Sequence, residues 1–415
     1  TIYFSASAYQ PNGKQPIEKP RESSESHHDV NRQVPNSAYG GQDKFVPSQV
    51  IVGFKGPMSQ KAREVMQRRN VTVIKQLSAI NAILVKVDEK NINDFMAEMR
   101  KDPMVKYVER NFKDRKLCYV PNDPLWGLQW GPEKIQADLA WDVQTGSSSV
   151  LVAVIDTGID YTHEDLAANY QPGGWDYWDN DNDPMDGHGH GTHCAGIIAA
   201  ELDNSIGITG LAQVRVMAER IFGPYGEYVG DFYAADAIVH ATDSGAKILS
   251  NSWGGYGYIP YTLYDAFKYA YDNGVLIVAA AGNDGVDTRV YRFYPAGFEE
   301  VISVSASQQD DTIVWWSNWG DIDVAAPGVN ILSTLPGNNY ESWSGTSMAT
   351  PHVAGEAALI WSQFPTYTRD QVWNLIDYSA DDLGDLGWDP YYGWGRINLY
   401  TAIQGLPADE LAMTG

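Results

Sequence analysis

Val150-Leu151-Val152-Ala153-Val154-Ile155-Asp156-Thr157-Gly158 is the stretch that decides the fold. Six consecutive apolar residues fit a strand buried on both faces, and the run stops at an acid followed by a turn. Similar runs recur at Val214–Ala218, Ala246–Ser250 and Val275–Ala279, separated by helical stretches. This pattern predicts an α/β fold, a mostly parallel sheet with helices on both faces. In such sheets functional residues gather beyond the carboxyl ends of the strands. Asp156, Ser252 and Asn283 each follow the end of such a run.

Two further segments supply the partners that Asp156 needs. His190-Gly191-Thr192-His193-Cys194-Ala195-Gly196 brings an imidazole, and Gly345-Thr346-Ser347-Met348-Ala349-Thr350-Pro351-His352 a hydroxyl. A hydroxyl is a poor nucleophile at neutral pH. It needs an imidazole to take its proton and a carboxylate to fix that ring's tautomer. Ser347 also opens an apolar helical stretch, Met348 to Phe364, where backbone N–H groups and the helix dipole favour a developing oxyanion. A zinc site at His188, His190 and His193 finds no His-Glu-x-x-His motif and no Cys pair. An aspartic protease needs two Asp-Thr-Gly motifs, and this chain has one. An α/β-hydrolase needs Gly-x-Ser-x-Gly and the order Ser, Asp, His. Here the order is Asp, His, Ser, and Ala349 stands where the second Gly would be.

These motifs and their order resemble the subtilisin-like serine proteases, and within them the thermitase and proteinase K branches, over Tyr119 to Gln404. The resemblance implies a three-layer subtilisin-like fold and an Asp156-His190-Ser347 triad. Asn283 would offer its amide, together with the Ser347 backbone N–H, as an oxyanion hole. A catalytically dead scaffold is disfavoured, since all four positions are intact. Ser252-Trp253-Gly254 and Tyr225-Gly226 match two extended segments that hold a peptide as an added strand. Ala280, Ala281 and Gly282 would wall the pocket for the residue before the scissile bond, favouring large apolar side chains. Trp253 replaces a leucine usual in the family and is expected to reshape a subsite. His193 is assigned a structural role, hydrogen bonding inside its own helix.

The resemblance also implies bound Ca2+. Trp175 to Asp186 holds five carboxylates within the eleven residues that begin at Asp176, and these repel one another unless a cation intervenes. Asp176, Asp181 and Asp183 match a thermitase calcium loop, with Met185 where that family has an amide; Asp179 or Asp186 could contribute instead. A second set joins Asp123, Asp165 and the Asn204 side chain to the carbonyls of Leu202, Ile206 and Ile208.

The charge is divided along the chain. Residues 45–117 hold 15 Lys/Arg against 8 Asp/Glu, and residues 118–415 hold 9 against 40. The acidic part disfavours nucleic acid as a partner and suits a secreted, soluble monomer that binds cations. The basic segment is expected to be drawn to it. Within that segment, strands at Gln49–Phe54, Ala82–Val87 and Val105–Glu109 and helices at Ser59–Arg69 and Asn91–Lys101 suggest a ferredoxin-like α+β unit. It resembles the propeptide of subtilisin-like enzymes, which implies an intramolecular chaperone and inhibitor, hence a zymogen acting on polypeptides. The expected divisions are a disordered extension at 1–44 and propeptide plus processing linker at 45–117. The catalytic domain follows at 118–404 and a tail at 405–415. Cleavage is expected between Arg110 and Tyr119, at Leu117–Cys118. Tyr3 to Ala8 ends in an A-x-A pattern like the tail of a signal peptide, and no apolar run reaches membrane-spanning length.

Overall fold

A computed structural model describes residues 45–112 and 119–405, which form two compact units. The first contains strand β1 (Phe45–Phe54), helix α1 (Gln60–Arg68) and strands β2 (Thr72–Leu77) and β3 (Ala82–Lys86). Helix α2 (Ile92–Met99) and strand β4 (Val105–Phe112) complete it. The antiparallel sheet runs β2-β3-β1-β4, the ferredoxin-like arrangement. Its core sets Val50, Val52 and Phe54 of β1 and Ile83 and Val85 of β3 against Val65 of α1 and Phe95 and Met99 of α2. Ser59 caps α1 by accepting the Ala62 N–H at 2.9 Å, so the helix begins one residue after the expected start.

The second unit opens with two short helices, α3 (Trp130–Lys134) and α4 (Ala137–Trp141). Strand β5 (Leu151–Asp156), helix α5 (His190–Ala199), β6 (Arg215–Arg220), α6 (Asp231–Asp243) and β7 (Ile248–Asn251) follow. Then come β8 (Gly255–Tyr256), α7 (Tyr261–Asp272), β9 (Leu276–Ala280), β10 (Phe293–Tyr294), β11 (Ile302–Ser307) and β12 (Val324–Pro327). The hairpin β13 (Ile331–Leu335) and β14 (Asn339–Trp343) leads to α8 (Thr346–Gln363) and α9 (Arg369–Ser379). Six strands form one parallel sheet in the order β12-β11-β9-β7-β5-β6.

The unbroken apolar runs have a direct cause. Val152, Val154, Ile248, Leu276 and Val278 pack into a layer with α5, α8 and α9. Their neighbours Ala153, Ile155, Leu249, Ile277 and Ala279 point the other way, into a layer with α6 and α7. Alternate residues of these runs therefore fill opposite cores, which is why both registers are apolar. The chain leaves β5 for β6 on one side, then crosses back to β7 on the other. Such a reversal opens a crevice past the carboxyl ends of β5 and β7. Asp156 and Ser252 stand at its two sides.

Candidate active site

Asp156 ends β5 with 1% exposure, and its Oδ1 lies 2.7 Å from Nδ1 of His190, the first residue of α5. This contact makes Nδ1 the donor to the carboxylate and fixes the orientation of the ring. Burial opposes a charged ring, but the adjacent Asp156 carboxylate outweighs it by charge and hydrogen bond, and the His190 pKa is raised. Helix α5 is pinned against the turn after β5: Gly191 donates its N–H to Thr157 Oγ1 at 2.8 Å. A Cβ on Gly191 would stand 2.1 Å from the Gly158 carbonyl, so only glycine permits this approach.

Ser347 is the second residue of α8. Pro351, four residues on, has no N–H to give, so the Ser347 carbonyl loses its helical partner. Two groups from outside the helix replace it: Ser252 Oγ donates at 2.8 Å, and Cys194 Sγ donates at 3.5 Å. Ser347 Oγ in turn donates to the Ser252 carbonyl at 3.0 Å. Cys194 lies one turn along α5 from His190, and its sulfur is within 4.8 Å of ligand atoms of both Asp156 and His190. The starts of α5 and α8 are thereby held together beside Asp156. These three groups do not make a metal site. Burial pushes the Cys194 thiol well up, keeping it protonated, and His190 Nδ1 is engaged by Asp156.

Asn283 follows Gly282, whose φ of 102° would strain any other residue. Asn283 Oδ1 accepts from the Thr346 N–H at 2.8 Å and the Thr346 hydroxyl at 2.9 Å. With its oxygen so occupied, the amide NH2 is the group left to offer beside the start of α8. Ala280 and Ala281 are buried at the end of β9. Ser252 is buried next to Trp253, which is 8% exposed with its ring among Phe222, Tyr228 and Phe267. Trp253 thus belongs to the core layer beneath the crevice. Gly254 leads directly into β8.

Three expectations need correction. Tyr225 and Gly226 sit at a tight turn rather than in an extended run, because Phe222 pairs with Tyr228 and the Gly226 N–H donates to the Gly223 carbonyl. His193 bonds outside its own helix: Nε2 donates to the Glu341 carbonyl at 3.1 Å, and the ring stacks on Trp343 at 4.9 Å. Burial drives its pKa down to about 3, so it stays neutral. Asp176, Asp181 and Asp183 do not converge as a ligand set among the described residues. Asp176 is 1% exposed and paired at 2.5 Å with Arg220, which also reaches Asp179 at 3.0 Å. The Arg220 guanidinium thus neutralises two carboxylates of the loop. Asp183 instead accepts from the Tyr161 hydroxyl at 2.6 Å.

The loop at 202–208 is different in kind. Alternate residues Asp203, Ser205 and Gly207 hold positive φ, curling the chain round Asp123 and Asp165. Asp165 is fully buried; desolvation raises its pKa to about 6, despite hydrogen bonds from the Ile208 N–H, Asn204 Nδ2 and the Tyr340 hydroxyl. Desolvation also raises Asp123. Two buried carboxylates beside an amide and a curled backbone fit a hard cation.

Asp186 is the residue that sequence reasoning offered only as an alternative calcium ligand, and its hydrogen bonds give it a different place. Its Oδ1 accepts from Thr157 Oγ1 and from the His188 and Gly189 N–H groups, and its Oδ2 accepts from the N–H and hydroxyl of Thr192. It ties the turn after Asp156 to the start of the helix bearing His190. An acid four residues before a helix-opening histidine was the available signal, hidden among the other carboxylates of its loop.

The profile described as the Subtilase family matches residues 147–395, and that of the Fervidolysin N-terminal prodomain matches residues 32–111. A thermophilic serine proteinase of Bacillus sp. (strain AK1) is 40% identical, covering 86% of this chain and 88% of its own. Thermitase of Thermoactinomyces vulgaris is 44% identical, covering 69% of this chain and all of its own. The crystal structure of fervidolysin from Fervidobacterium pennivorans, described as a keratinolytic enzyme related to subtilisin, superposes with a TM-score of 0.63 at 30% identity. The match covers 88% of this chain and 62% of that one.

Proposed function

The chain belongs to the subtilase family of serine endopeptidases and carries a prodomain ahead of its protease unit, and we propose that Asp156, His190, Ser347 and Asn283 do its chemistry. His190 takes the proton from Ser347 Oγ as that oxygen attacks the scissile carbonyl. Asp156 fixes the ring's tautomer and stabilises the imidazolium. The Asn283 amide and the Ser347 N–H bind the oxyanion. His190 then returns the proton to the leaving amine, and water releases the acyl group by the same route in reverse. The observation that carries this reading is the 2.7 Å Asp156–His190 contact at the head of the helix that also holds Ser347 through Cys194. Labelling by a fluorophosphonate probe tests it: the wild type should label and Ser347→Ala should not. Labelling that survives that substitution would overturn the assignment.

The substrate is a polypeptide, held on its acyl side by Ser252, Trp253 and Gly254 and by the turn at Tyr225 and Gly226. Ala280, Ala281 and Gly282 line the pocket before the scissile bond. The prodomain serves as folding template and inhibitor until cut. The divisions at 44 and 404 belong to the same reading. The extension 1–44, the processing linker with Leu117–Cys118, and residues 406–415 lie outside the described residues. In this chain Asp123, Asp165, Asn204 and the carbonyls of Leu202, Ile206 and Ile208 would hold Ca2+, which supplies cross-linking charge rather than chemistry. The enzyme works as a secreted monomer. Its acidity supports that reading. Among the described residues no helix is long and apolar enough to cross a membrane.

A further inference from the structure

Beside His190, on the side of the β13–β14 hairpin, the surface opens into a recess of about 430 Å3. It is lined by His188, Leu335, Pro336, Asn339, Tyr340 and Glu341. This is large enough for one long side chain with its water. The His188 ring is 6.4 Å from that of His190, and Trp343 at the end of β14 lies 6.2 Å from His190 on the same side. A base that must return its proton to the leaving amine has the leaving half of the substrate against its ring. An extended chain advances about 3.3 Å per residue, so a 6.4 Å offset is reached within about two residues of the scissile bond.

The lining selects among side chains by charge. Glu341 is exposed at the rim, and no Lys or Arg lines the recess. Asn339 spends its amide N–H2 on the Pro336 carbonyl at 2.9 Å, leaving an acceptor oxygen. Leu335, Pro336 and the Tyr340 ring offer apolar wall, and that ring is held by its hydroxyl's bond to Asp165. Apolar walls ending in acceptors and a carboxylate suit a long aliphatic stem with a cationic tip. Burial lowers the pKa of His188, with the His190 charge adding to the effect, so the ring does not oppose a cation at neutral pH.

We propose that this recess is a specificity site for a lysine or arginine among the first two residues after the scissile bond, with Glu341 as its selecting charge. The proposal rests on the proteolytic reading above. Glu341 is placed for this by the hairpin: its carbonyl accepts from His193, and that backbone contact does not depend on its side chain.

The test uses the full chain, produced and allowed to mature, with internally quenched peptides. These share one acyl half and carry Lys, Ala or Glu at the first or second position beyond the cut. Lys should exceed Ala in kcat/KM by about two- to fivefold, the range of an exposed ion pair, and Glu should fall below Ala. The Lys-to-Ala ratio should approach one in Glu341→Gln, reverse in Glu341→Lys, and shrink at about 0.5 M salt. A ratio near one in the wild type, or one that survives Glu341→Gln, overturns the site. An anilide substrate with nothing beyond the cut reads the acyl half alone. No Ser347-dependent hydrolysis of it would overturn the proteolytic reading instead.

Discussion

Glu219 gives the enzyme a stability that falls as pH rises. The residue sits near the end of β6 with 0% exposure, its Oε1 2.7 Å from His240 Nδ1 and its Oε2 accepting the Trp175 N–H. Desolvation lifts its pKa from 4.5 to about 7, although the His240 hydrogen bond pulls the other way. The folded protein therefore resists ionising a group that the unfolded chain ionises freely. Below pH 4.5 both states hold the proton and there is no penalty. Above it the unfolded state gains, and the loss is complete once pH passes 7. At about 1.4 kcal/mol per unit, the loss is about 3 kcal/mol. His240, raised first by its hydrogen bond to Glu219, acts in the same direction: its contribution is present at low pH and lost as pH climbs through its folded pKa. Glu219→Gln keeps an acceptor for Trp175 but removes the titration. The assay is thermal unfolding between pH 4.5 and 8 in a Ser347→Ala background, which prevents self-digestion. Tryptophan emission follows the large unit alone, since residues 45–117 contain no Trp. The parent should lose about 6 °C or more across this range, and Glu219→Gln should lose much less. Parallel curves for the two proteins would refute the reasoning.

Other consequences are as direct. Asn283→Ala should lower kcat by about 10²–10³ with KM little changed, a magnitude established in a subtilisin rather than worked from this structure. Asp156→Asn should cost about 10⁴ in kcat, because Nδ1 then loses the partner that sets the tautomer; stopped-flow or burst kinetics would show it. EGTA should lower the melting temperature, by about 2.7 kcal/mol of stability if free calcium had stood at 100 times its Kd. Asp165→Asn should abolish that response, and an unchanged melt would remove calcium from the account. Ser252→Ala should destabilise by about 1–3 kcal/mol in denaturant unfolding, since the Ser347 carbonyl loses its main donor.

Strands with both faces buried were legible because each residue of Val152–Ile155 must be apolar whichever way it points. The triad was legible because its motifs are contiguous in sequence. Strand β2 was not: all six of its residues are exposed, and Val73, Ile74 and Leu77 do not alternate with the polar ones. An edge strand that buries nothing leaves no period to read. Strands β11 and β12 were missed as well, the first because Ser303, Ser305 and Ser307 are buried polar residues that dilute its apolar run. The Asp176 loop misled because spacing counts carboxylates but does not show that Arg220, forty-four residues on, closes upon them. Tyr225 misled for a related reason, since pairing of Phe222 with Tyr228 is a matter of tertiary geometry.

Proline at 351 also decides where the nucleophile's support comes from. The first turn of α8 cannot satisfy the Ser347 carbonyl by itself, and its donors come from Ser252, just past β7, and from Cys194 of α5. The seat of the serine is thereby a property of the assembled core and not of its own helix.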